Sequence, residues 1–343
     1  MAETNSADRH SRLLGIKLRT LVAEHLGRAP TNDTAAFPRG AALMVGDAAW
    51  VLIEGDGSRA LGGALAWALR NGATSLNLVA DTHTGLLARR AEHLDFPVSV
   101  WFPEDRTLLP AVAEPLAAPA PPTAEHLAFV DMMLTAGATP NVEHGVVFGE
   151  VSGLEVCRVV DEPTVGHIAE LVDIDPALFA STDGVLLEVG VGANDREAFR
   201  LIHGDMPTVE ALASVVEAVA AHRSPEAPQH PLNRLGQERY LRWRLEQEPH
   251  LVGMAHVEPA EPPLPRPNLK DPVPCVAVAT APDGERHTIV CSVGVDPDLV
   301  GFVADVQHLS DRPVVVVLRE RDRVGIVQDL LDLLARPVTI RTV

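Results

Sequence analysis

Residues 41–54 read AALMVGDAAWVLIE, two short apolar runs, Ala41–Val45 and Trp50–Glu54, on either side of a turn that holds Asp47. Runs of this length and composition, closed by turn residues, are strand signals. Upstream, Leu13–Leu26 has helical period. Downstream, the pattern predicts a helix over Ser58–Asn71, a strand over Ser75–Val79, a helix over Thr84–His93 and a strand over Val98–Phe102. Helix, paired strands, helix, strand, helix, strand is a mixed α/β order.

The same order returns near the other end. A helix over Asn233–Gln247 precedes strands Val273–Thr280 and His287–Val293. A helix over Asp298–Leu309, a strand over Pro313–Leu318, a helix over Val324–Leu334 and a strand over Val338–Thr342 follow. The expected fold is therefore α/β, with two similar mixed modules flanking a central α/β segment. Residues 1–109 form the N-terminal module, and 110–144 a Pro/Ala-rich linker with a short helix. Residues 145–230 form the central segment and 231–343 the C-terminal module. Pro110–Thr123 (PAVAEPLAAPAPPT) reads as a semi-rigid linker. The central segment carries a hairpin, Val146–Val151 with Leu154–Val160, turned by Ser152-Gly153, and a strand over Val185–Val191. Helices over Asp195–Ile202 and Thr208–His222 complete it.

A chain of 343 residues exceeds one ordinary core, and 46% hydrophobic residues supply material for several. Its net charge of −19 repels phosphate-rich surfaces on average, which disfavours nonspecific binding to nucleic acid or anionic lipid. Three cysteines without CxxC spacing fit neither a disulfide framework nor a zinc ribbon. The polar start lacks a signal peptide's apolar core, and no apolar run approaches the ~20 residues that span a bilayer. A cytoplasmic protein with no membrane segment is the expectation. Fourteen histidines show no HExxH spacing, and no Walker A, GxSxG or kinase signature occurs.

The repeated element order resembles the core of PD-(D/E)XK nucleases, the restriction-endonuclease-like fold. That resemblance implies an acid on one strand and an acidic-x-Lys triplet on the next, holding a divalent metal beside a phosphodiester. In the N-terminal module it puts the metal at Asp47, Glu54 and Asp56. The triplet there reads Leu52-Ile53-Glu54 or Glu54-Gly55-Asp56, with no lysine, and the C-terminal strands offer neither acid nor lysine. These departures imply degenerate, non-catalytic modules that bind a partner; Asp56 and Ser58 are also ordinary helix N-cap types.

The central segment offers different chemistry. Glu188-Val189-Gly190-Val191-Gly192 resembles the first motif of class I S-adenosylmethionine-dependent methyltransferases, which implies Gly190, Gly192 and Asn194 as cofactor-binding positions. Asn194 stands where the family has a third glycine, and no strand ending in an acid follows at the expected distance. The alternative to a binding protein is thus an enzyme using Glu155, Glu188, Asp195 and His203 around a metal or small cofactor, against a bland reading in which arginines such as Arg158 or Arg196 neutralise the acids.

One helix is positively charged. Asn233–Gln247 (NRLGQERYLRWRLEQ) interleaves Arg234, Arg239, Arg242 and Arg244 with Tyr240 and Trp243. Such spacing suits a protein partner, or nucleic acid through phosphate contacts and base stacking. Glu238, Glu246 and Glu248 among them equally fit a salt-bridged helix that docks one part of the chain on another.

Overall fold

The computed structural model describes residues 2–161, 181–182, 184–202, 208–223, 230–266 and 272–343. It is mixed α/β, with three sheets among the described residues. Among them no helix is long and apolar enough to cross a membrane. The chain folds into two compact units, each drawn from discontinuous segments: Met1–Leu116 with Gly294–Val314 and Arg319–Ile340, and Ala117–Val293 with Val315–Leu318 and Arg341–Val343. The compact bodies therefore do not follow the order of the sequence, and the stretch from Gly294 onward contributes to both.

The first unit carries a six-stranded sheet in sequence order: β1 (Ala35–Phe37), β2 (Gly40–Val45), β3 (Ala48–Ile53), β4 (Ser75–Ala80), β5 (Val98–Glu104) and β6 (Thr107–Pro110). β1 to β3 are antiparallel, β3–β4 and β4–β5 parallel, and β5–β6 antiparallel. The parallel pairs need crossovers, supplied by α2 (Leu61–Arg70) and α3 (Thr84–Ala91). α1 (Ala2–Leu26) packs on a face of the sheet, burying Leu14, Leu18, Leu21 and Val22 against Leu43, Trp50 and Leu52. Two helices from late in the chain, Leu299–Leu309 and Gly325–Leu331, join this unit against α2 and α3. Asp305, fully buried on the first of them, accepts from Arg89 (Nη2, 3.1 Å) and Arg90 (Nε, 2.9 Å) of α3.

In the second unit, the central sheet has the order β10-β11-β9-β8-β7, antiparallel throughout. Its strands are β7 (Thr139–Glu143), β8 (Val146–Val151), β9 (Leu154–Asp161), β10 (Ser181–Thr182) and β11 (Val185–Val189). Ser152 and Gly153 turn β8 into β9 with φ of 46° and 72°, the doubly left-handed turn that matches strand twist. The short helix expected within 110–144 is broken into α4 (Ala124–Leu127) and α5 (Val130–Thr135). α6 (Ala193–Ile202) and α7 (Thr208–His222) follow β11, and Met133, Leu212 and Val219 fill the core beside the sheet. A third sheet, order β12-β13-β14-β15-β16, comprises β12 (His256–Ala260), β13 (Cys275–Thr280), β14 (Arg286–Cys291), β15 (Val314–Leu318) and β16 (Thr339–Thr342). The expected helix at Asn233–Gln247 starts later, as α8 (Gln237–Gln247), because Pro231–Arg234 forms a 3₁₀ turn and Gly236 takes φ 52°. Leu241 and Leu245 of α8 enter the core of the third sheet.

Arg223, just past α7, ties this unit together. Its guanidinium donates to the carbonyls of Ser152, Leu232, Leu235 and Gly236 at 2.9–3.3 Å and lies 5.1 Å from the Tyr240 ring centre. Burial lowers its pKa to about 10.

Candidate functional site

In α/β sheets, ligands collect beyond the carboxyl ends of parallel strands. Glu54 and Asp56 follow β3 at that end, and Asp81 follows β4. Each has a local partner. Glu54 accepts from His10 Nε2 at 2.6 Å, Asp81 lies 3.4 Å from Lys17 Nζ, and Asp56 accepts from Ser58 N at 2.9 Å with His83 Nδ1 at 3.3 Å. Hydrogen bonding from Ser58, side chain and backbone, holds the Asp56 carboxyl below its ordinary value. Asp47 stands at the opposite end of β3, accepting from Thr74 Oγ1 at 2.9 Å. Six residues of strand put it about 20 Å away from the other two. The three positions of the nuclease comparison therefore do not converge on one ion. Among the described residues no group of three or more His, Cys, Asp or Glu side chains is placed to hold a metal.

The central acids do converge, but on arginines. Glu155, fully buried, accepts from Arg158 (Nε 2.9 Å, Nη2 3.0 Å), Arg196 (Nη1 3.1 Å) and Arg266 (Nη2 3.3 Å). Burial alone would raise the Glu155 carboxyl; the guanidinium groups outweigh it and hold the carboxyl below its ordinary value. Glu188, opposite Arg158 in the β9–β11 register, accepts from Arg196 Nε at 3.1 Å. Asp195 turns back to accept from Val191 N at 2.6 Å. His203 lies outside the described residues.

The glycine turn closes on its own helix. Gly190 N donates to Val156 O at 2.7 Å, and at its φ of 135° a Cβ would stand 2.9 Å from Arg196 N. Glycine is needed there so that the helix backbone can approach. Gly192 has φ 82°, and Asn194 is exposed beyond it.

The basic helix also pairs its charges inside the unit. Arg242 reaches Glu150 (2.6 Å), Glu143 (3.4 Å) and Glu246 (3.0 Å), while Arg239 pairs with Glu143 and lies 3.4 Å from Glu150. Both arginines are buried; the i,i+3 spacing points them at β7 and β8 rather than outward. Burial raises the Glu143 carboxyl, with Arg239 opposing. Arg244 is half-exposed and paired with Glu248 (3.6 Å), Tyr240 lies beneath Arg223 with Trp243 5.5 Å away, and Arg234 is exposed. Only Arg234 and Arg244 of the four arginines remain at the surface.

A concavity that the sequence did not single out lies in the first unit. It has a volume of about 310 Å³, between Ala88 and Ala91 of α3, Val98 and Val100 of β5, and Ala111 and Ala113 beyond β6. Val98, Val100 and Phe102 share one strand face, and Leu109 stands directly opposite Phe102. Phe102 and Leu109 are each 39% exposed, so the apolar floor runs on past the end of the helix. The stretch expected as a linker helps to build this wall: Ala111 N donates to Val100 O (2.8 Å) and Glu114 N to Gly85 O (3.1 Å). Its signal in the sequence is Ala88 and Ala91, small residues at i,i+3 that leave the helix–strand gap unfilled.

Comparison of the chain with family models, with curated proteins and with solved structures finds no match.

Proposed function

We propose that this chain is a cytoplasmic, non-catalytic binding protein that engages a protein partner, built from end modules of the restriction-endonuclease-like type whose catalytic letters are missing. The observation that carries this reading is the pairing of its carboxylates. Glu155 and Glu188 are neutralised by Arg158, Arg196 and Arg266, and Glu54 and Asp56 each sit beside a histidine, His10 and His83, with no lysine on their strand. Glu155, buried and holding four guanidinium hydrogen bonds, offers no open side to a divalent ion, and Glu188 shares Arg196 with it. Element order supports the nuclease-like ancestry: β2, β3, α2, β4, α3 and β5 near one end, and β13, β14, a helix, β15, a helix and β16 near the other. A protein partner is favoured over nucleic acid because Arg239 and Arg242 face inward in a chain of charge −19.

The deciding experiment incubates the purified chain with single- and double-stranded oligonucleotides in Mg²⁺ or Mn²⁺, alongside melts with S-adenosylmethionine. No cleavage and no shift are expected. Metal-dependent cleavage that disappears in Glu54→Gln, or a cofactor shift that disappears in Glu188→Gln, overturns the reading.

A further inference from the structure

The groove of the first unit joins three properties. Its alanine and valine walls are interrupted by polar surface at Ser99 and Glu92, its floor ends in the exposed Phe102–Leu109 pair, and carboxylates stand at both ends of its helical wall. Glu92 follows α3 directly. Glu114 lies along the first turn of α3, where a Cβ on Gly85 would come within 2.2 Å of its Cγ. Among the described residues neither side chain has an ion-pair partner, in contrast to the central carboxylates, and Glu104 at the end of β5 has none either. Nearby cations do not answer them: Arg89 and Arg90 are committed to Asp305.

The eight residues of α3 span about 12 Å, the length of roughly four residues of extended chain. We propose that this groove receives an extended segment of a partner protein, about four small apolar residues flanked at each end by a lysine or arginine. The apolar core fills the Ala88–Ala91 wall and reaches Phe102, while the flanking cations meet Glu92 and Glu114. Charge complementarity selects the occupant, because a chain of charge −19 with an acid at each end of an apolar slot attracts cationic segments and repels acidic ones. Backbone pairing with β6 contributes little, since Pro110 offers no N–H. This proposal rests on the reading of the chain as a protein-binding protein and adds the chemistry of the partner.

The test is fluorescence anisotropy on the full chain with a labelled hexapeptide carrying lysine at each end of an Ala/Val core, beside a twin carrying glutamate. The lysine peptide is expected to bind and the glutamate twin not to. Ala91→Trp, which fills the groove, and Glu92→Lys, an exposed change that leaves the core intact, are each expected to weaken binding at least tenfold. Equal binding of the two peptides, no binding of either, affinity unchanged in both variants, or full displacement by millimolar spermidine overturns the proposal. A failure here with oligonucleotide cleavage still absent removes the groove and leaves the non-catalytic reading; metal-dependent cleavage removes that reading whatever the peptides do.

Discussion

Leu94 and Leu334 face each other in an antiparallel bridge, although 240 positions separate them along the chain. The hydrogen bonds around them are reciprocal: Asp95 N donates to Leu333 O, and Ala335 N donates to His93 O, both at 2.9 Å. Beside this bridge the rings of His93 and His308 approach to 3.2 Å. Burial, then His308 and Arg336, lower the pKa of His93, with Glu92 and Asp305 opposing. A histidine whose folded pKa is depressed gives stability that is present above its ordinary value of 6.5 and is lost as pH falls through the folded value. His93→Gln should therefore flatten the decline in Tm between pH 7 and 5, and scanning calorimetry at half-unit intervals reads the difference.

Asp305 answers two buried guanidinium groups with one carboxylate. Asp305→Ala leaves Arg89 and Arg90 without it at the junction of α3 and the Leu299–Leu309 helix, and removing one partner of a buried ion pair costs about 3–5 kcal/mol. Urea denaturation should show a loss of that order. Asp305→Asn, which keeps an acceptor oxygen, should lose less.

Asp298 behaves in the opposite sense. It accepts from Gly62 N at 2.9 Å, yet burial and then Asp296 push its carboxyl above the ordinary value. A raised carboxylate pKa means that stability is present while the group is protonated and is lost as pH rises through the folded value. Asp298→Asn keeps the acceptor without the charge, so it should raise Tm by about 2 °C at pH 7.5 and change it little at pH 4.

Glu155 supplies the matching control. Its carboxyl is held low, so its contribution is present above its ordinary value of 4.5 and is lost as pH falls below that. Glu155→Gln should destabilise the chain at pH 7 by about 3–5 kcal/mol and abolish much of the acid-induced loss of the wild type. Paired melts at pH 7 and pH 4 check both halves.

Much of the architecture is legible in the sequence, because alternating and contiguous apolar runs report buried strands directly. The expected Ser75–Val79, Thr84–His93 and Pro313–Leu318 match β4, α3 and β15 to within two residues at each end. Three of the strands that the sequence hides share a cause. β6, β7 and β12 each bound a sheet and contain a proline, Pro110, Pro140 and Pro259 respectively. Proline demotes a run to non-strand when its position in the sheet is unknown, yet an edge tolerates it. Sites are harder to read. Spacing shows that Arg239 and Arg242 share a helix face and cannot show that Glu143 and Glu150, some 90 residues earlier, wait beneath it. The groove depends on a gap between α3 and β5, which the small Ala88 and Ala91 permit but which only the packing of helix on strand creates.

Arg223 adds a different kind of permanence. Its four partners are backbone carbonyls, which neither gain nor lose protons, whereas the attachments of Glu155, Asp305 and Glu143 depend on carboxylates. Acid thus dissolves the second unit unevenly. The ion-paired seams around Glu155 and Glu143 loosen first, and the knot joining the β8–β9 turn, the end of α7 and the start of α8 outlasts them.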